Sequence, residues 1–193
     1  MVSFKDEKYT INSIILSKPK IVNDFLDALN EFFLCISYFI CYKNKNFKLL
    51  HCSAFSENGK NIIVTGPKKS GKSRLIYSKA KSGNLIYADD LLLWSHRDSI
   101  FTSIGLPLRL RRARELIKNQ PVKGKFLFGK NILYSHNSHF NIAPLGMSFE
   151  LDKVLFMEDN FQAKDIPIFK FFNFLKDYII DEDLYKLEKE AIL

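Results

Sequence analysis

An α/β fold with a mixed β-sheet is predicted by three features of this 193-residue chain. A glycine-rich phosphate-loop pattern, residues 66–73, separates a β-branched apolar run from a helix-compatible one. Short apolar runs of strand length dominate from residue 85 to residue 157, and helical spacing occupies residues 21–42 and 168–193. A chain of this length buries a substantial core and sits near the usual size of one domain, so the expectation is a single unit, 1–193, in which helices flank a P-loop-containing sheet.

Taken in order, residues 8–16 (YTINSIILS) mix β-branched and apolar types and predict a strand, which Pro19 helps to end. Ile21, Phe25, Leu26, Leu29, Phe32, Phe33, Ile36, Phe39 and Ile40 then recur at spacings of three and four. That pattern predicts a helix over 21–42, amphipathic at first and deeply buried towards its end. Residues 47–55 (FKLLHCSAF) read as one strand carrying His51, and the Asn58-Gly59 pair predicts a tight hairpin into the strand at 62–65. A helix over 74–81 follows the glycine-rich loop, with Gly83 as its stop.

Strands are then expected at 85–88, 100–104, 106–110, 126–128, 132–134 and 154–157, and residues 91–94 continue apolar beyond the aspartates. A short helix is expected at 113–118, ended by Pro121, and two short helices are expected after residue 168 with a cap at 181–183.

Composition narrows the function classes. The chain is 47% hydrophobic and 26% charged, the balance of a soluble globular protein. Its longest apolar stretch, residues 32–41, falls well short of the roughly 20 residues that span a bilayer. The first ten residues carry acidic side chains and lack a signal-peptide layout, so a cytoplasmic protein without a membrane partner is expected. Cys35, Cys41 and Cys52 form no C-x-x-C pair and an odd total, which disfavours a disulfide framework or a structural zinc site.

The net charge of +8 is concentrated between residues 109 and 130, where Arg109, Arg111, Arg112, Arg114, Lys118, Lys123, Lys125 and Lys130 face a single Glu115. Either an anionic substrate or a solvated basic face accounts for that cluster without nucleic acid. The basic-aromatic alternation at 123–130 fits a strand with one wet face. His136 and His139 have metal-compatible spacing but no third ligand in a recognisable pattern, and read as loop residues.

The chemistry centres on residues 66–73. Gly66, Pro67, Lys68, Lys69, Ser70, Gly71, Lys72 and Ser73 match G-x-x-x-x-G-K-S, and Arg74 follows. The glycines let backbone N–H groups curl around phosphate oxygens, the lysine meets the terminal phosphates, and the serine hydroxyl ligates Mg²⁺. The next helix adds the positive end of its dipole. These residues are the candidate nucleotide site.

Asp89 and Asp90 stand only 17 residues beyond Lys72, with one helix and one strand between, which brings them back to the strand end beside the loop. One carboxylate would hold Mg²⁺ and the other would take a proton from an attacking hydroxyl, and the spacing leaves open which does which.

His51-Cys-Ser-Ala54, the P-loop, the Asp89-Asp90 pair and the segment 105–111 (GLPLRLR) together resemble the catalytic domain of HPr kinase/phosphorylase and its shorter HPr-kinase-like relatives. That branch shares its nucleotide site with phosphoenolpyruvate carboxykinases, and the resemblance covers roughly residues 21–160. It implies an HPr kinase C-terminal-domain-like fold and an ATP- and Mg²⁺-dependent kinase acting on a hydroxyl of a small molecule, peptide or protein serine.

In that scheme Lys72 meets the β- and γ-phosphates, Ser73 and one aspartate, taken as Asp90, hold the metal, and Asp89 and Asp90 supply the base and a ligand. His51 lies near the nucleotide or the acceptor, or is a core histidine, and Arg109 or Arg111 neutralises the transferred phosphate.

The chain departs from the family at Lys69, where many relatives carry a small residue, and in lacking a match to the segment that handles phosphorolysis and contacts HPr. A bifunctional enzyme acting on HPr is therefore not expected. The competing expectation is a nucleotide-binding regulatory or accessory protein without turnover.

Overall fold

The computed structural model describes residues 1–13, 16, 18–23, 25–106, 108–111, 126–129, 132–135, 140–159 and 161–179. It is a mixed α/β structure with several sheets. A three-stranded antiparallel sheet comes first: β1 (Val2–Lys5), β2 (Lys8–Ile11) and β3 (Lys20–Val22). The strand predicted over 8–16 is thus shorter and gains two partners, and Ile21 lies on β3 rather than in the helix.

Helix α1 (Phe25–Lys43) has Asp27 in its first turn and Lys43 in its last, both favourable to its dipole. Burial at its end is confined to one face. Tyr38 and Cys41 are buried, whereas Phe39 and Tyr42 are exposed beneath the Lys43 ammonium.

The run 47–55 is not one strand but two. Strand β4 (Phe47–Leu50) belongs to a four-stranded antiparallel sheet with β8 (Leu92–Ser95), β9 (Ile100–Ser103) and β13 (Ser148–Phe149), in the order β13-β9-β8-β4. Strand β5 (Ser53–Glu57) belongs to a second, five-stranded sheet. His51 and Cys52 are the joint between them, and the His51 N–H donates to the Tyr178 carbonyl at 2.7 Å. Leu49, Leu50 and Cys52 through Phe55 are all buried, so His51 is the single polar, partly exposed residue where the chain changes sheet.

The five-stranded sheet organises the rest. Besides β5 it holds β6 (Lys60–Thr65), β7 (Leu85–Ala88), β14 (Lys153–Met157) and β15 (Ala163–Ile166), in the order β15-β14-β6-β5-β7. Strands β5 and β6 form the hairpin expected at Asn58-Gly59, both of which have positive φ as a primed turn requires. Strand β14 runs parallel to β6, with Phe156 opposite Thr65, and the other ladders are antiparallel.

Alternation along these strands serves two cores. Ala54, Ile63 and Val154 face one that includes Leu92, Phe101, Phe149 and Phe171. Phe55, Ile62, Val64 and Ile86 face another, under helix α2 (Lys72–Lys81), with Ile76 and Ala80. Full burial of such side chains contributes roughly 1.5–3 kcal/mol each.

Leu108 of strand β10 (Leu108–Arg111) joins the core beneath α2. Strand β10 pairs with β12 (Ile132–Ser135), which also pairs with β11 (Phe126–Gly129). The predicted C-terminal helix begins as α3 (Ile168–Phe174) and passes into a 3₁₀ turn at Leu175–Tyr178. The predicted helix at 113–118, the basic residues at 112–125 and Lys130, His136, His139 and the cap at 181–183 lie outside the described residues. Among the described residues, no helix is long and apolar enough to cross a membrane.

Candidate functional site

Strands β6 and β7 are both antiparallel to β5, and β14 is parallel to β6. Four segments therefore emerge at one end of the sheet: the loop 66–73 after β6, Asp89-Asp90 after β7, His51-Cys52 before β5, and residues 158–159 and 161–162 after β14. The aspartate-bearing strand does not lie beside the loop strand as expected. Strand β5 stands between them, because the hairpin strand pairs on both edges, and its entry delivers His51 into the gap.

The loop is held by backbone conformations that need glycine. Gly66 has φ 135° and Gly71 has φ 101°. A Cβ at Gly66 would collide with the Met157 carbonyl on β14, and one at Gly71 would collide with the Phe161 ring. Gly71 also caps α2, whose first backbone bond runs from the Leu75 N–H to the Gly71 carbonyl at 3.0 Å. The first turn of α2 has no acidic residue and carries Lys72 and Arg74, so orphan N–H groups, dipole and side-chain charge share one sign. Pro67, Lys68 and Lys69 are exposed, with Lys69 at φ 71°, while Ser70 is buried and its Oγ has no hydrogen-bond partner among the described residues.

Lys72 is 9% exposed, and its Nζ donates to the carbonyls of Gly66 and Pro67, both at 2.8 Å. Burial pushes its pKa below the ordinary lysine value, and Asp90, then Cys52, then Asp89 oppose the fall. A lysine ammonium has three donors, and two are occupied by these carbonyls.

Asp90 is bonded to His51, Nε2 to Oδ1 at 2.9 Å, with side chains 31% and 43% exposed. Asp89 is buried, and its backbone carbonyl accepts from the Ser53 hydroxyl. Cys52 lies beneath, its thiol pushed up to about 12 by burial, with Lys72 drawing it down and Asp90 raising it further.

Loop, lysine, aspartate pair and histidine thus stand at one sheet end, with Ser73 at the start of α2. Arg109 and Arg111 fall on β10, the strand whose Leu108 packs under α2. Sequence reasoning did not anticipate the Asp90–His51 bond or the approach of Phe161 to Gly71. Neither has a local signal, since both join residues far apart in the chain. No protein-family model and no curated protein matches this chain.

Proposed function

We propose that this protein is an ATP- and Mg²⁺-dependent phosphotransferase of the HPr-kinase-like type, acting on a hydroxyl of a small molecule or peptide. The observation that carries this reading is the buried Lys72 ammonium, held by two carbonyls of its own loop and under the electrostatic influence of Asp90, which His51 engages.

The glycine-lined loop and the first turn of α2 present N–H donors to the triphosphate, and Lys72 supplies the fixed positive charge. The Ser73 hydroxyl and the aspartate carboxylates are hard oxygen donors, the set Mg²⁺ takes alongside substrate phosphates. Bound there, Mg²⁺ would neutralise charge on the phosphates.

In the transfer, the acceptor oxygen bonds to the γ-phosphorus as the bond to the β-phosphate oxygen breaks, and ADP leaves with that electron pair. The acceptor's hydroxyl proton passes to the Asp89-Asp90 pair. His51, bonded to Asp90, fixes the direction of its carboxylate. A basic strand bearing Arg109 and Arg111 suits an acceptor that is anionic or becomes so.

Calorimetry with Mg²⁺-ATP, followed by transfer assays from labelled ATP to hydroxyl-bearing acceptors, tests the proposal. Asp90→Asn is expected to keep nucleotide binding and to lose transfer by about 10²–10⁴-fold. Absence of nucleotide binding at millimolar ATP would sink the proposal, and tight binding without transfer to any acceptor would replace it with the regulatory reading.

A further inference from the structure

Phe161 sits in the short connection between β14 and β15, pinned by its own N–H to the Glu158 carbonyl at 3.2 Å and by the Glu158 N–H to the Gln162 carbonyl at 2.9 Å. Its φ is 60°, an outlier for a bulky side chain, yet the residue is 58% exposed. The gain from burying an aromatic ring therefore does not account for this conformation.

The position of the ring suggests what does. One edge rests against Gly71, where the absence of a Cβ makes the approach possible, and the Arg74 guanidinium carbon lies 5.8 Å from the ring centroid. A half-exposed aromatic residue with a guanidinium over its ring thus stands beside Gly71 of the loop, brought there by the parallel pairing of β6 and β14.

We propose that Phe161 and Arg74 form the wall on which the base of a nucleoside triphosphate stacks while residues 66–73 take its phosphates. The proposal rests on the nucleotide reading of the loop and adds to it the part of the ligand that the loop does not touch. Every base has a π-face, so a stacking wall of this kind accepts adenine and guanine alike, and selection between them is not its task. Arg74 adds a cation–π partner to the same stack.

The test compares two ligands on the full chain, Mg²⁺-ATP and Mg²⁺-tripolyphosphate, by calorimetry. Tripolyphosphate offers the phosphates without the base. Phe161→Ala is expected to weaken ATP about 5- to 100-fold, the range for loss of one base–aromatic stack, and to leave tripolyphosphate unchanged. Phe161→Tyr is expected to retain wild-type ATP affinity. Phe161→Leu, which keeps the apolar bulk, is expected to show the same selective loss as the alanine variant.

Equal weakening of both ligands, or unchanged ATP affinity in the alanine and leucine variants, would overturn the wall and leave the phosphate loop standing. A wild-type chain that binds tripolyphosphate as tightly as ATP would overturn it as well. If the wild type binds neither ligand, the nucleotide reading itself fails and the wall with it.

Discussion

Gly66→Ala is the substitution for which the structure supplies both the strain and the collision. The φ of 135° lies in a region that an L side chain rarely enters, which costs about 1–3 kcal/mol. The added methyl would also overlap the Met157 carbonyl and lie 3.0 Å from its backbone nitrogen, so β14 must move away from β6. Overpacking of that kind costs a further 1–3 kcal/mol or so.

Together these give about 2–6 kcal/mol, a large part of the roughly 5–15 kcal/mol that holds a domain folded. For a chain of this size that corresponds to a fall in Tm on the order of 10 °C. Gly59→Ala is the control. Gly59 also has positive φ, 74°, but nothing lies within 4 Å of the added methyl, so strain alone, about 1 kcal/mol, is expected. Urea unfolding followed by circular dichroism gives both values. If the two variants lose the same stability, the close approach of β14 to the loop is not the constraint on residue 66.

Two further outcomes are expected. Lys72→Met should be at least as stable as the wild type at pH 7, because the buried ammonium has a lowered pKa and its charged form is disfavoured by folding. The wild type's penalty is complete below the folded-state pKa and is relieved as pH rises from there towards 10.5, so a stability gap that widens with alkaline pH would refute this account of Lys72. Secondly, Cys35, Cys41 and Cys52 are all buried, and the Cys52 thiol is pushed up to about 12, so native protein at pH 8 should resist iodoacetamide until urea unfolds it. Mass spectrometry should then show three labels, and rapid labelling of Cys52 without denaturant would contradict its burial.

What the sequence made legible was local. The glycines at 66 and 71, the Asn58-Gly59 turn and the run after Lys72 each carry their conformation in neighbouring residues, and the structure has a loop, a hairpin and a helix there. The strands predicted at 85–88 and 100–104 are also strands. Long-range placement was not legible. In FKLLHCSAF the half-exposed His51 alone stands where the chain leaves one sheet for another, and a single polar residue between apolar neighbours does not distinguish a joint from the wet side of one continuous strand. The short strands at 2–5 and 20–22 owe their existence to pairing with 8–11, not to their own composition. Phe161 is an ordinary residue until β14 comes to lie against β6.

Among the described strand ladders, β6 and β14 form the one parallel pair, and residues 66–152 lie between them. A contact that closes so much chain loses entropy before it gains anything, and such contacts form late in folding. The wall of Met157 behind Gly66 and the ring at Gly71 are therefore expected to form late. A nascent chain that has not reached residue 153 carries the loop's amino acids without the neighbours that shape them. Under the proposed nucleotide-binding function, a kinetic experiment that follows ligand capture during refolding is expected to report the docking of β14 against β6.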